Sequence, residues 1–138
     1  RNETVPLRSC VGAEKRTATD NSKTGRRAAY RKGHRAEWRA LLALVLKGYR
    51  PVARRARYSY GEIDLVVRRG DLIVFVEVKA RPSEGEALDA IGYHAQRRIE
   101  AAGEQWIAAQ PDAADLNWRF DVVAVRQWRW PVHFVDVW

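Results

Sequence analysis

Between His34 and Gly48 the apolar positions recur at helical spacing. At about 100° per residue, Glu37, Trp38, Leu41, Leu44, Val45 and Gly48 share one face, and Gly48 followed by Tyr49 is a stop signal. The pattern predicts a first helix over about residues 34–47. The period then changes. "YRPVARRARY" reads as a strand whose Pro51 suits an edge or an entry position, and "EIDLVVRR" and "DLIVFVEVKA" read as two more, joined at Gly70 and Asp71 into a hairpin. After the loop "RPSEGE", Leu88, Ile91, Ala95, Ile99, Ala102 and Trp106 recur at spacings of three and four. They predict a second helix that ends near Ala109, with its start blurred by Gly92, a poor helix former. "WRFDVVAVRQW" and "PVHFVDVW" predict two closing strands. The order helix, three strands, helix, two strands describes an α/β domain built on a mixed sheet.

The hairpin carries charge where a core is expected. In an extended strand, alternate side chains share a face roughly 7 Å apart, so Glu77 and Lys79 point the same way. Closing the hairpin at Gly70 brings Asp64 beside Glu77 at the same end of the sheet. Two desolvated carboxylates repel, so something cationic must compensate them. One solution is a structural ion pair made by Lys79. The other is a divalent cation: Mg²⁺ suits oxygen ligands and usually keeps several waters, which leaves room for a phosphate. Glu37 adds a third acid facing the apolar side of the first helix, more than one lysine can neutralise. Glu62, two residues before Asp64, is a candidate outer acid or a solvated strand start.

Composition narrows the class. The 138 residues suffice for one domain and not for two. No run approaches the roughly 18 apolar residues of a membrane span, so a cytoplasmic protein without membrane partners is expected. The single cysteine, Cys10, cannot close an intrachain disulfide and has no neighbours at metal-ligand spacing. The net charge of +8 is concentrated early, since residues 1–36 hold ten Lys or Arg against three Asp or Glu. Residues 1–32 are polar and basic, the composition of a disordered tail that reads equally as an arm on phosphates or as an unselected or processed leader, and residues 33–138 form the expected folded domain.

The quoted segments carry a resemblance. "GEIDLVVRRGDLIVFVEVKAR" resembles the hallmark of the YraN family, bacterial proteins of uncertain role within the restriction-endonuclease-like superfamily, whose motif is written PD-(D/E)xK. "GHRAEWRALLALVLKGYRPVARR" is similar to that family's opening helix and following strand, "QRRIEAAGEQWIA" to its second helix, and "RFDVVAV" to the strand after it. The resemblance spans about residues 33–138 and implies a restriction-endonuclease-like three-layer core, a mixed central sheet flanked by helices. It further implies divalent-metal nuclease chemistry with Mg²⁺ or Mn²⁺ on DNA, branched DNA in particular by likeness to archaeal Holliday junction resolvases, and a homodimer. Matched position by position, the metal acids are Asp64 and Glu77, joined by the backbone carbonyl of Val78; the lysine that orients or activates water is Lys79; and the helix-borne acid is Glu37, a ligand for a second metal or its waters. Arg81 and Gln96, and less directly Arg97, fall where nucleic-acid contacts are expected. One position departs: relatives carry Lys or Gln beside the residue matching Gln96, where this chain has Ala95.

Two function classes follow. One is a metal-dependent endonuclease with Glu37, Asp64, Glu77 and Lys79 as its catalytic set. The other keeps the fold without turnover, as a nucleic-acid-binding or scaffolding protein. His34, His94 and His133 are dispersed and read as surface or helix-edge residues, without the grouping of a hydrolytic triad. Trp128, Trp130 and Trp138 are read first as core or dimer contacts, with base stacking as the alternative.

Overall fold

The computed structural model describes residues 33–81, 85, 87 and 91–138. The basic tail, Cys10, Leu88 and most of the loop after Arg81 lie outside the described residues. The first helix, α1, covers residues 33–46. It ends as Gly48 required: Gly48 adopts φ +93° and donates its N–H to Val45 O (3.0 Å), while Tyr49 N–H reaches back to Leu44 O (3.1 Å). This paired closure satisfies carbonyls that the last helical turn leaves open, and only glycine takes that φ without strain.

Strands β1 (Arg50–Tyr58), β2 (Gly61–Arg69), β3 (Leu72–Ala80), β4 (Asn117–Val125) and β5 (Val132–Phe134) lie side by side in chain order as one sheet. The β3 and β4 strands are parallel and the other pairs antiparallel. Parallel neighbours need a crossover, and helix α2 (Tyr93–Ala108) lies within it. The expected order of helix, three strands, helix and two strands in a mixed sheet is therefore the observed one.

Strand alternation divides the core in two. Leu65, Val67, Val74, Val76, Val123 and Val125 pack against α1 through Ala36, Ala40, Leu41 and Leu44. On the other face, Ile73, Phe75 and Phe120 pack against Ile99, Ala102, Trp106 and Ile107 of α2. The approach of α2 is close: a Cβ on Gly103 would lie 3.0 Å from the Phe120 ring and 3.1 Å from that of Phe75. Each helix thus clamps one side of the three central strands.

Three boundaries differ from the sequence reading. Trp38 and Val45 are 56% and 43% exposed, so the buried face of α1 is rotated toward its alanines. The helix is apolar almost all round, and the small Ala36, Ala40 and Ala43 allow the closest approach to the sheet. Ile91 and Gly92 precede α2 rather than belonging to it, Gly92 being an extended N-cap with ψ 162°. The last strand pairs over three residues only, and Trp128 and Asp136, on either side of it, leave the extended conformation with positive φ of 61° and 53°.

Candidate active site

The hairpin register ends its paired ladder at Leu65 opposite Val76, so Asp64 and Glu77 are the next residues on the two strands. Within β3, Val76, Val78 and Ala80 pack on the α1 side, whereas Glu77 and Lys79 continue the row of Ile73 and Phe75. The carboxyl groups of Asp64 and Glu77 come within hydrogen-bonding reach of one another. Lys79 Nζ lies 3.1 Å from Glu77 Oε1, and the N–H of Val78 donates to Asp64 Oδ2 at 2.9 Å. Asp64 on β2 and Glu77 and Lys79 on β3 are therefore brought together, beside the N–H of Val78.

Glu37 reaches the same region from α1 and is 7% exposed. The acid does face the interior, and its compensation is one the sequence did not suggest. Arg55 Nε donates to both carboxylate oxygens, at 3.0 and 3.2 Å, and Arg54 lies 3.6 Å from Oε2. Arg55 holds φ +49° within β1, an unfavourable conformation for a residue with a Cβ, and strain of this kind collects at functional positions. The arginine that clamps Glu37 is therefore set on a distorted strand residue.

The three acids are unequally neutralised. Glu77 has Lys79, Glu37 has two arginines, and Asp64 has one backbone N–H. Burial, followed by the charge of Glu77, pushes the Asp64 carboxyl up to about 7, with the charge of Glu37 adding to the shift and the Val78 N–H opposing it. Among the described residues this carboxyl forms no ion pair with a Lys, Arg or His. Among the described residues no three His, Cys, Asp or Glu side chains form a group able to hold a metal, so Glu37 is not a ready third ligand. The oxygen donors brought together are the Asp64 and Glu77 carboxylates. That set fits Mg²⁺ or Mn²⁺, which commonly take one or two carboxylates and fill their remaining positions with water and phosphate.

The expected nucleic-acid contacts are more scattered. Arg81 is exposed and donates to Ala80 O (2.9 Å); Gln96 and Arg97 lie in the first turn of α2, bonded to Ile91 O (3.5 Å) and the Tyr93 hydroxyl (3.3 Å). Among the described residues none of the three is bonded to Asp64 or Glu77. Glu62 pairs with Arg57 at 3.3 Å in an exposed bridge, as a solvated strand start does.

A second polar centre escaped the sequence reading. Asp121 is fully buried on β4 and accepts hydrogen bonds from Arg119 Nε (2.9 Å), from the N–H of Asp136 (2.9 Å) and from His133 Nε2 (2.6 Å). Arg119 also donates to the Tyr49 hydroxyl at 2.7 Å. Burial alone would raise the Asp121 carboxyl; the bonds from His133, Arg119 and Asp136 outweigh it and hold it below the usual carboxylate range. His133, with its side chain 3% exposed, is thus an interior residue and not a surface one. A usable signal was present: Asp121 alternates with Val123 and Val125, so it had to face the core and find a partner.

This fold, with acids and a lysine at the end of its central hairpin, defines the class as a restriction-endonuclease-like domain. The model of the "Uncharacterised protein family UPF0102" matches residues 36–125. The chain belongs to this family, the YraN family. It is 62% identical over 108 residues to a UPF0102 protein of Mesorhizobium japonicum, covering 78% of this chain and 86% of the relative. A UPF0102 protein of a Chelativorans species is 54% identical over 127 residues, covering 92% and 97%, and one of Agrobacterium fabrum is 51% identical over 119 residues, covering 86% and 98%.

Proposed function

We propose that this chain is a divalent-metal-dependent endonuclease hydrolysing phosphodiester bonds in DNA, with branched or junction DNA as its substrate. The observation that carries the reading is the placement of Asp64 and Glu77 as next neighbours on paired strands, with Lys79 Nζ 3.1 Å from Glu77 Oε1 and the Asp64 carboxyl pushed up by its burial beside Glu77. Asp64, Glu77 and the Val78 carbonyl would hold Mg²⁺ or Mn²⁺, which supplies Lewis acidity toward a phosphate oxygen and toward the attacking water. Lys79, paired as an ammonium, orients that water and offsets charge on the phosphate. Glu37 acts at one remove, through its charge on Asp64 and its hold on Arg55 and Arg54. DNA is the partner, the cytoplasm the setting, and a homodimer the assembly implied by the resemblance.

Metal-dependent nicking of branched or flapped DNA tests the proposal. The wild type should nick with Mg²⁺ or Mn²⁺ and not in EDTA, and Asp64→Ala and Lys79→Ala should each lose at least about 100-fold. Wild-type rates in both variants would refute it. A second reading, a catalytically silent nucleic-acid-binding or scaffolding protein, is favoured by the internal pairing of Glu37 and Glu77, which leaves one acid short of a cation. DNA affinity in wild type and variants alike, with no nicking under any metal, would establish that reading.

A further inference from the structure

Opposite its buried side, α1 presents an apolar face that is exposed among the described residues. Trp38, Leu42 and Leu46 are 56%, 54% and 67% exposed and fall within a narrow arc of the helix. At the edge of that arc Arg39 donates one guanidinium N–H to Arg126 O (2.9 Å) and another to Arg129 O, so the segment between β4 and β5 is fastened alongside. That segment displays Trp128 and Trp130, 91% and 59% exposed. Trp128 has a left-handed backbone with φ 61°, a costly conformation for a bulky residue. Trp38 on the helix and Trp128 and Trp130 on the segment fastened to it through Arg39 are thus all largely exposed.

The exposed charges of α1 and of residues 126–135 are basic, with the exposed Asp136 just beyond them. Residues 33–48 contain a single acid, the buried Glu37, and residues 126–135 contain none. Arg35, Lys47 and Arg129 are exposed there. A second copy would bring like charges together, whereas a polyanion with apolar faces matches both features. The platform also begins at the candidate active site: the Arg54 guanidinium lies 4.1 Å from the centre of the Trp38 ring and 3.6 Å from Glu37 Oε2.

We infer that the α1 face and the Trp128–Trp130 segment form a stacking platform for single-stranded nucleic acid, one that adjoins Arg54 and Glu37. Indole faces need unstacked bases, which a duplex does not offer, while Arg35 and Arg129 follow the phosphates. This inference rests on the reading that the protein acts on nucleic acid, and it specifies that the substrate has an unpaired segment.

The test uses the full chain in EDTA, titrated with an oligothymidylate of about 20 nucleotides and with a duplex of the same length, read by fluorescence anisotropy and tryptophan emission. The single strand should bind tighter and quench the emission. Trp128→Ala and the Trp128→Ala/Trp130→Ala pair, both at exposed positions where circular dichroism verifies the fold, should weaken single-strand binding on the order of 10-fold or more and leave duplex binding unchanged. Undiminished single-strand affinity in both variants would overturn the inference. So would a wild-type dimer that dissociates in them, which would assign the face to a second copy. Because no divalent metal is present, Trp-dependent binding stands even if nicking is never found, and nicking with Trp-independent affinity overturns this inference alone.

Discussion

The replacement Asp64→Asn removes the carboxylate that its surroundings disfavour while keeping a side-chain oxygen to accept the Val78 N–H. Folding lifts the Asp64 pKa from 3.8 to about 7. Each unit is worth about 1.4 kcal/mol, so an ionised Asp64 costs the folded protein at most about 4 kcal/mol. Water at the rim of the site screens part of this, leaving an expected gain of about 1–3 kcal/mol for the amide. The folded carboxyl binds its proton more tightly than the unfolded one. Wild-type stability from this group is therefore full below about pH 4, declines as the pH rises, and is lost above about 7. Thermal unfolding in EDTA, followed by circular dichroism, should find the variant about 4–12 °C more stable at pH 8 and the difference closing toward pH 4. A variant less stable than wild type at pH 8, or a gap independent of pH, would refute the assignment of strain to Asp64.

Arg55→Ala leaves Glu37 buried, among the described residues, with the longer Arg54 contact, and should destabilise by about 1–3 kcal/mol in urea titration. Adding Glu37→Gln should restore part of that loss, and an additive double variant would deny the pairing. Asp121→Asn weakens the tie from Arg119 and His133 and should cost about 2–4 kcal/mol at neutral pH. Since folding lowers the Asp121 pKa, wild-type stability from it is present above about pH 4 and lost in stronger acid, so the two proteins should converge as the pH falls below 4. A constant gap there would show that packing, and not charge, sets the cost.

The hairpin was the most legible part of the chain because each residue of it obeyed local rules. Gly70 closed the turn, the apolar runs set the faces, and antiparallel pairing then brought Asp64 to Glu77 without further information. Gly48 marked the end of α1 for an equally local reason. What escaped was set by distant partners. The rotation of α1 depended on which apolar side of an all-round apolar helix could approach the sheet, and small alanines decided it. The clamp on Glu37 required a left-handed Arg55 that no periodicity announces. His133 met Asp121 because three paired residues of β5 place it across from Val123, two positions along the strand from Asp121. A wide-spaced pair of that kind shows in sequence only as an acid on the wrong face of a strand.

The claim that Asp64 and Glu77 form a cation site is tested most directly by calorimetric titration of the full chain with Mn²⁺ at pH 8, wild type beside Asp64→Asn. Millimolar or tighter binding of Mn²⁺ in the wild type, absent in the variant, is the expected result. No heat in either protein, or equal binding in both, would contradict it.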